Sequence, residues 1–220
     1  MKYSKKRQVI NLQKLTITRE TRTIKNTTRS KMTGLQRRAI HIMKRKNRIR
    51  GNSLMEKIIE FLTWAEEKGW EVKKRIDREL TLTNEIVNRY PVIPEQFVQF
   101  LNLVDICVAA DEKSWFLCVN DYNREVELAF SWDEFEKISL ESASDDESWK
   151  QEITKFWDRY LPIALSVRNG YTFYAIDLGS EFGSIVCGSE PEFEEVEQIA
   201  SSLNQFLDKI MKNSVNFSSF

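Results

Sequence analysis

The chain has 220 residues, and its 33 Lys+Arg balance its 33 Asp+Glu. The balance hides two unlike parts: residues 1–54 hold 17 Lys+Arg and one acid, Glu20, while residues 55–220 hold 16 basic and 32 acidic side chains. Only Tyr3 among the aromatic residues precedes Met55, so a single uniform domain is excluded.

The reading is therefore of two segments. Residues 1–54 form a basic arm that cannot build a core and carries the composition of a disordered segment. Residues 55–220 form an acidic, aromatic-rich domain. No run approaches the ~20 apolar residues of a membrane span. No apolar run and small-residue cleavage site follow the basic N-terminus, so no secretory signal is read. Cys107, Cys118 and Cys187 are widely spaced and flanked by apolar or small residues. They read as reduced, buried thiols of a cytoplasmic protein. One His, His41, and no Cys-x-x-Cys leave no zinc site of the usual type, and no metal or cofactor is expected.

Within the arm, residues 34–48 have a thin apolar stripe of Leu35, Ile40, Ile42 and Met43 among basic residues. Three readings of the arm stay open. It binds nucleic acid or an anionic membrane surface, although no aromatic residues interleave for base stacking and no second lipid signal is present. It lies across the acidic domain. Or translation starts at Met55, since Arg50-Gly51 can be encoded as a ribosome-binding sequence three codons upstream.

Residues 55–68 carry Ile58, Ile59, Leu62 and Ala65 at helical spacing before Gly69. Trp64 and Trp70 flank that seam. Residues 71–82 fit a helix edge or a short strand. Thr83 is a good N-cap for a short helix over 84–90, with Ile86 and Val87 inward. Pro94 and Glu95 open a helix with Phe97, Val98, Phe100 and Leu101. Residues 106–110 and 115–119 read as a hairpin around Asp111-Glu112-Lys113-Ser114, and Val126–Phe130 as a third strand.

Ser131 and Glu134 form a capping-box pattern ahead of Trp132, Phe135 and Ile138. Ser144 repeats the device ahead of a helix with Trp149, Ile153, Phe156 and Trp157, which must stop near Tyr160. Residues 161–167 and 171–178 are strands around Arg168-Asn169-Gly170, where Asn-Gly is the hairpin signal. Residues 183–188 read as another strand. The apolar residues from Phe193 to Ile210 repeat at threes and fours, which predicts one helix over 193–211 and a loose tail after it. The order gives an α+β fold with an antiparallel sheet rather than alternating βαβ units.

Several phrases in this order carry a resemblance. They are Ile93-Pro94-Glu95-Gln96-Phe97, leading to Phe100-Leu101; Tyr160-Leu161-Pro162-Ile163-Ala164; Asn169-Gly170-Tyr171 with the aromatic strand after it; Gly183-Ser184-Ile185-Val186; and the terminal helix with Leu203, Phe206 and Leu207. From about Met55 to Met211 the chain resembles the SUKH superfamily, which includes the Smi/Knr-type cell-wall regulators and many bacterial immunity proteins. One departure is plain. The Asn-Gly turn usual after the Phe-Leu helix is replaced by Asn102-Leu103-Val104-Asp105.

The resemblance implies a cytoplasmic, non-enzymatic domain that binds a protein. Bacterial members mostly bind and block a cognate toxin, often a nuclease with a basic face. An acidic domain suits such a partner, because opposite potentials speed encounter. The alternatives are a regulatory scaffold of the cell-wall type, or a nucleic-acid-binding protein acting through residues 1–54.

An enzyme is disfavoured. His41 lies in the arm, so no Ser-His or Cys-His dyad forms in the domain. Asp145 and Asp146 suit a helix N-terminus better than an acid–base pair. For partner contact, the acidic candidates are Asp111, Glu112, Asp121, Glu125, Asp145, Asp146 and Glu147, with Trp115 and Trp149 as aromatic anchors. A solvated acidic face and core tryptophans are the plain alternatives for the same residues.

Overall fold

The computed structural model of the chain describes residues 55–76, 80–124, 131–215 and 217. The basic arm, Glu125 and the expected strand Val126–Phe130 lie outside them.

Helix α1 (residues 55–67) stops before Gly69, whose φ of 79° few residues with a side chain adopt. Its inward residues are Ile58, Phe61, Leu62 and Ala65; Ile59 is half exposed. Strand β1 (Glu71–Lys74) settles the ambiguous stretch after Trp70. Helix α2 (Asn84–Arg89) buries Ile86 but exposes Val87. Thr83 holds the N-cap position, yet its side chain makes no capping bond.

Helix α3 (Glu95–Leu103) buries Phe97, Phe100 and Leu101. Strand β2 (Val104–Val108) follows without a turn, which accounts for the missing Asn-Gly. Strand β3 (Ser114–Phe116) returns antiparallel, as expected, but it is short, because Val119 already opens α4 (Val119–Asn123).

Helices α5 (Glu134–Ser142) and α6 (Glu147–Arg159) both start later than their serines suggest. Asp133 takes the N-cap of α5, and Ser131 instead donates its hydroxyl to Asp133 Oδ1 at 2.6 Å. Asp146 caps α6, accepting the Trp149 N–H at 3.0 Å. The Asp146 carboxylate accepts more strongly than a serine hydroxyl would, whereas the Asp133 carboxylate makes no capping bond and is engaged by Ser131, Lys137 and Arg124.

Strands β4 (Tyr160–Ser166), β5 (Thr172–Asp177), β6 (Ile185–Ser189) and β7 (Glu192–Ala200) complete the sheet. Among the described residues the sheet has seven strands, all antiparallel, and their spatial order is their chain order. Every residue of β4 is buried, because helices cover both faces of the sheet. Pro162 is tolerated inside β4 at an irregular register beside Ala164.

Adjacent rows of paired residues define the two faces. One row runs Phe116, Ala164, Tyr174, Cys187. Its rings meet Phe61 of α1, Phe100 of α3 and Phe206 of the last helix. The next row runs Trp115, Leu165, Phe173, Gly188, and Phe173 packs on Phe135, Phe156 and Trp157 of α5 and α6.

The expected helix over 193–211 is half strand. Residues 192–200 form β7, and helix α7 is Leu203–Met211, with the Ser202 hydroxyl accepting the Gln205 N–H. The cause is the register with β6. Between Ser189 and Gly188 the partner in β7 moves from Glu192 to Val196, and between Val186 and Ile185 it moves from Gln198 to Ala200. These bulges stretch the spacing of inward residues from two to three, which imitates a helix. Within the expected loose tail, Phe217 is instead fully buried.

Gly188 makes the bulge possible. A Cβ there would lie 2.5 Å from Phe173 Cε1 and 2.7 Å from the Phe193 carbonyl oxygen. Phe173 is itself held by Trp157, 4.7 Å away between centroids. Gly188→Ala is therefore expected to lower stability by about 1–3 kcal/mol in urea unfolding. An unchanged midpoint would show that β7 can move aside.

Candidate interaction surface

Three hairpin turns gather at one end of the sheet. The β2–β3 turn holds Asp111, Glu112 and Lys113, with Glu112 at a φ of 60°. Asp111 Oδ1 accepts the Lys113 N–H at 3.2 Å. The β4–β5 turn holds Arg168, Asn169, Gly170 and Tyr171. The β6–β7 turn holds Glu190 and Pro191, joined by a cis peptide bond.

The turns are tied to one another. The Val167 N–H donates to the Lys113 carbonyl at 2.8 Å, and Arg168 Nη2 pairs with Asp111 Oδ2 at 2.6 Å. The Glu190 N–H donates to the Tyr171 carbonyl at 2.9 Å, while the Tyr171 N–H donates to Glu190 Oε1 at 3.0 Å. Beneath them the buried hydroxyls of Ser114 and Ser166 meet at 2.8 Å. Bonds that cross between turns fix a surface that isolated hairpins would leave to fluctuate. Tyr171 in the β4–β5 turn is 37% exposed, while Trp115, just after the β2–β3 turn, is partly buried against the core.

Asp111, Glu112 and Trp115 thus come together on one hairpin. Asp145, Asp146, Glu147 and Trp149 form a second group at the start of α6. There Asp146 is spent on the cap, Glu147 pairs with Lys150 at 2.8 Å, and Trp149 is 45% exposed. Asp121 is half-buried rather than fully exposed. Its Oδ2 accepts the Cys118 N–H at 2.6 Å, and burial pushes its carboxyl up. Arg168, Tyr171 and Glu190, which the structure adds to this surface, are not singled out by the sequence. Asn-Gly announces the turn that holds Arg168 and Tyr171, but nothing local announces that the turn holding Glu190 bonds to it.

Elsewhere two buried carboxylates meet partly exposed cations. Asp133 receives Ser131, Lys137 and Arg124. Asp177, at the end of β5, receives Arg159 through Nε at 2.9 Å and Nη2 at 2.6 Å, and the Gly179 N–H at 2.6 Å. Burial alone would raise both carboxyls. For Asp133, the Ser131 hydroxyl and the cations of Lys137 and Arg124 outweigh it; for Asp177, Arg159 and the backbone N–H groups do. Both are held below the usual carboxylate range.

A carboxyl lowered on folding stabilises the fold above its unfolded value, about 3.9, and that contribution fades as pH falls through the folded value. Stability is therefore expected to fall with acid below about pH 4. Asp177→Asn should cost more at pH 7 than at pH 3 in urea unfolding. An equal cost at both would show that the ionic contact contributes nothing. Asp121, raised by burial, works in the opposite sense and blunts the acid limb.

Burial also pushes the thiols up, Cys187 to about 11, so none is a ready thiolate at neutral pH. Among the described residues, no three His, Cys, Asp or Glu are placed to hold a metal ion, and no helix is long and apolar enough to cross a membrane.

A meandering antiparallel sheet clothed by helices on both faces defines an α+β domain, with its hairpin turns tied into one end. The family model described as SMI1 / KNR4 family (SUKH-1) matches residues 84–209, from the first residue of α2 into the last turn of α7. The chain belongs to this family. A comparison with curated proteins finds no match.

Proposed function

We propose that this protein is a bacterial immunity protein that binds and neutralises a cognate toxin in the cytoplasm, without catalysis of its own. Family membership carries the reading, since the family includes toxin-immunity members. The 32 acids against 16 bases in residues 55–220 suit a basic partner, such as a nuclease whose surface handles phosphate. The binding unit in this reading is residues 55–220, and the hairpin turns are its contact surface. Their cross-bonds lower the ordering cost of docking, and Trp115 and Tyr171 are anchors of the type that dominates interface energies.

The test is co-expression of the full chain with the product of the adjacent gene. A toxic neighbour should be silenced and recovered in a stoichiometric complex. Glu112→Lys should weaken that complex about tenfold and leave the melting temperature unchanged. A neighbour that is neither bound nor silenced would sink the immunity reading. Capture of cell-wall or signalling proteins instead would favour the regulatory branch of the family.

A further inference from the structure

Among the described residues the sheet ends in two strands, β1 and β7, each with one side that no other strand pairs. An open row of backbone N–H and C=O groups is a template for a further strand, so an edge either repels one or receives one. β7 repels a second copy of itself. Its bulges break the register, and Glu192, Glu194, Glu195 and Glu197 would set acid against acid.

β1 lacks both defences. Its residues, Glu71-Val72-Lys73-Lys74, carry no bulge of their own, because the extra residue at the irregularity with β2 is Asp105, in β2. Lys74 pairs with Glu66 at 2.8 Å and so faces α1. Alternation puts Val72 on that side and Glu71 and Lys73 on the other. Val72 is partly buried against the core. Glu71 and Lys73 pair with each other at 2.8 Å, and both side chains are more than half exposed.

Two copies of β1 can pair antiparallel with matching faces only when the two-fold axis passes through a residue. With the axis at Val72, Glu71 of each copy opposes Lys73 of the other, and valine meets valine. With the axis at Glu71, Lys73 or Lys74, two like charges would meet on it. Val72 is thus the centre that satisfies charge in this strand. Lysine commonly guards an edge; here Lys73 becomes half of a cross-strand pair. Apolar surface lies at the same edge. Ile59 of α1 is 50% exposed, and Ile76, just past β1, is 98% exposed. A groove of about 270 Å³, lined by Ile59, Leu62, Lys74, Arg75 and Leu103, opens beside the strand.

We infer that the protein forms a two-fold dimer through β1, whose outer edge pairs antiparallel with β1 of a second copy about Val72. The sheet then runs on through both copies, with the exposed isoleucines beside the joint. The inference goes beyond the immunity reading and does not rest on it.

Analytical ultracentrifugation of the full chain tests it, from low micromolar to about 500 μM, since so short a ladder makes a weak dimer. The mass should rise with concentration to twice that of one chain. Glu71→Lys and Lys73→Glu should each raise the dissociation constant about tenfold, because each sets like charges opposite one another at two places. Both side chains are exposed, so neither change disturbs the core. An equal mixture of the two variants should pair as tightly as the wild type, because its charges are complementary again. So should the double variant Glu71→Lys/Lys73→Glu. A chain that is monomeric at every concentration, a dimer that both single variants retain at wild-type strength, or a mixture no stronger than its components would each overturn the assignment.

Discussion

Replacing Glu136 by Ala is expected to cost about 3–5 kcal/mol of stability, a fall of about 10 °C in melting temperature. Glu136 is buried, on the first turn of α5. Its two oxygens face Arg89 of α2, with Nη1 at 2.6 Å and Nη2 at 2.7 Å. Arg89 Nε reaches Asp158 of α6 at 2.8 Å. The guanidinium also lies 5.6 Å from the ring centroids of both Tyr90 and Trp132. One side chain thus ties three helices. Burial alone would lower the Arg89 pKa, but Glu136 outweighs it and raises it above its ordinary value.

Truncating Glu136 leaves that cation mostly buried, with only the more exposed Asp158 as partner. An uncompensated buried charge is the expensive outcome, far more so than losing the pair as a whole. Glu136→Leu combined with Arg89→Met should therefore recover part of what Glu136→Ala loses. Urea unfolding of the three variants decides the matter. A loss below 1 kcal/mol in Glu136→Ala would mean that water reaches Arg89 after all.

Phe217→Ala is expected to be about as damaging, at about 3–5 kcal/mol. The ring is fully buried although it lies past the last helix. It sits between Tyr174 at 5.1 Å, Phe116 at 5.3 Å, and Trp70 and Phe206 at 5.9 Å, centroid to centroid. Removing it opens a cavity walled by rings that are pinned from behind and cannot collapse into it. Phe217→Leu fills most of the volume and should lose less. If both variants unfold at the wild-type urea midpoint, the ring is not part of the core.

What could be read along the chain were the features that local chemistry specifies. Gly69 stops α1, Pro94 opens α3, and Asn169-Gly170 turns β4 into β5, each through its own backbone preference. The family resemblance added the order of these pieces. What could not be read depends on distant partners. One bulge of β7 sits where Gly188 admits the Phe193 carbonyl, and together with the bulge beside Val186 it disguises a strand as a helix. Phe217 looks like tail because its neighbours lie at residues 70, 116, 174 and 206.

The candidate surface divides on the same line. Asp111, Glu112 and Trp115 were legible as one hairpin. Asp121 looks, letter by letter, like any surface acid, although its carboxylate turns back to the Cys118 N–H three residues earlier. The grouping of Arg168, Tyr171 and Glu190 depends on which turns become neighbours, and that is decided by the strand order.

That strand order also bears on how the protein is assembled. Each strand pairs with the one just before it, so the sheet can lengthen in step with synthesis, without waiting for distant sequence. The helical cover over Tyr174 obeys a different clock. Lys57 of α1 meets Asp208 of α7 at 2.9 Å, and the ring of Phe217 shuts the gap beneath them against Trp70. A nascent chain can therefore own a nearly complete sheet while one side of it stays uncovered. That side closes only once Phe217 has cleared the ribosome. Arrested or clipped products should then be sticky, chaperone-bound species rather than slightly shortened versions of the native protein.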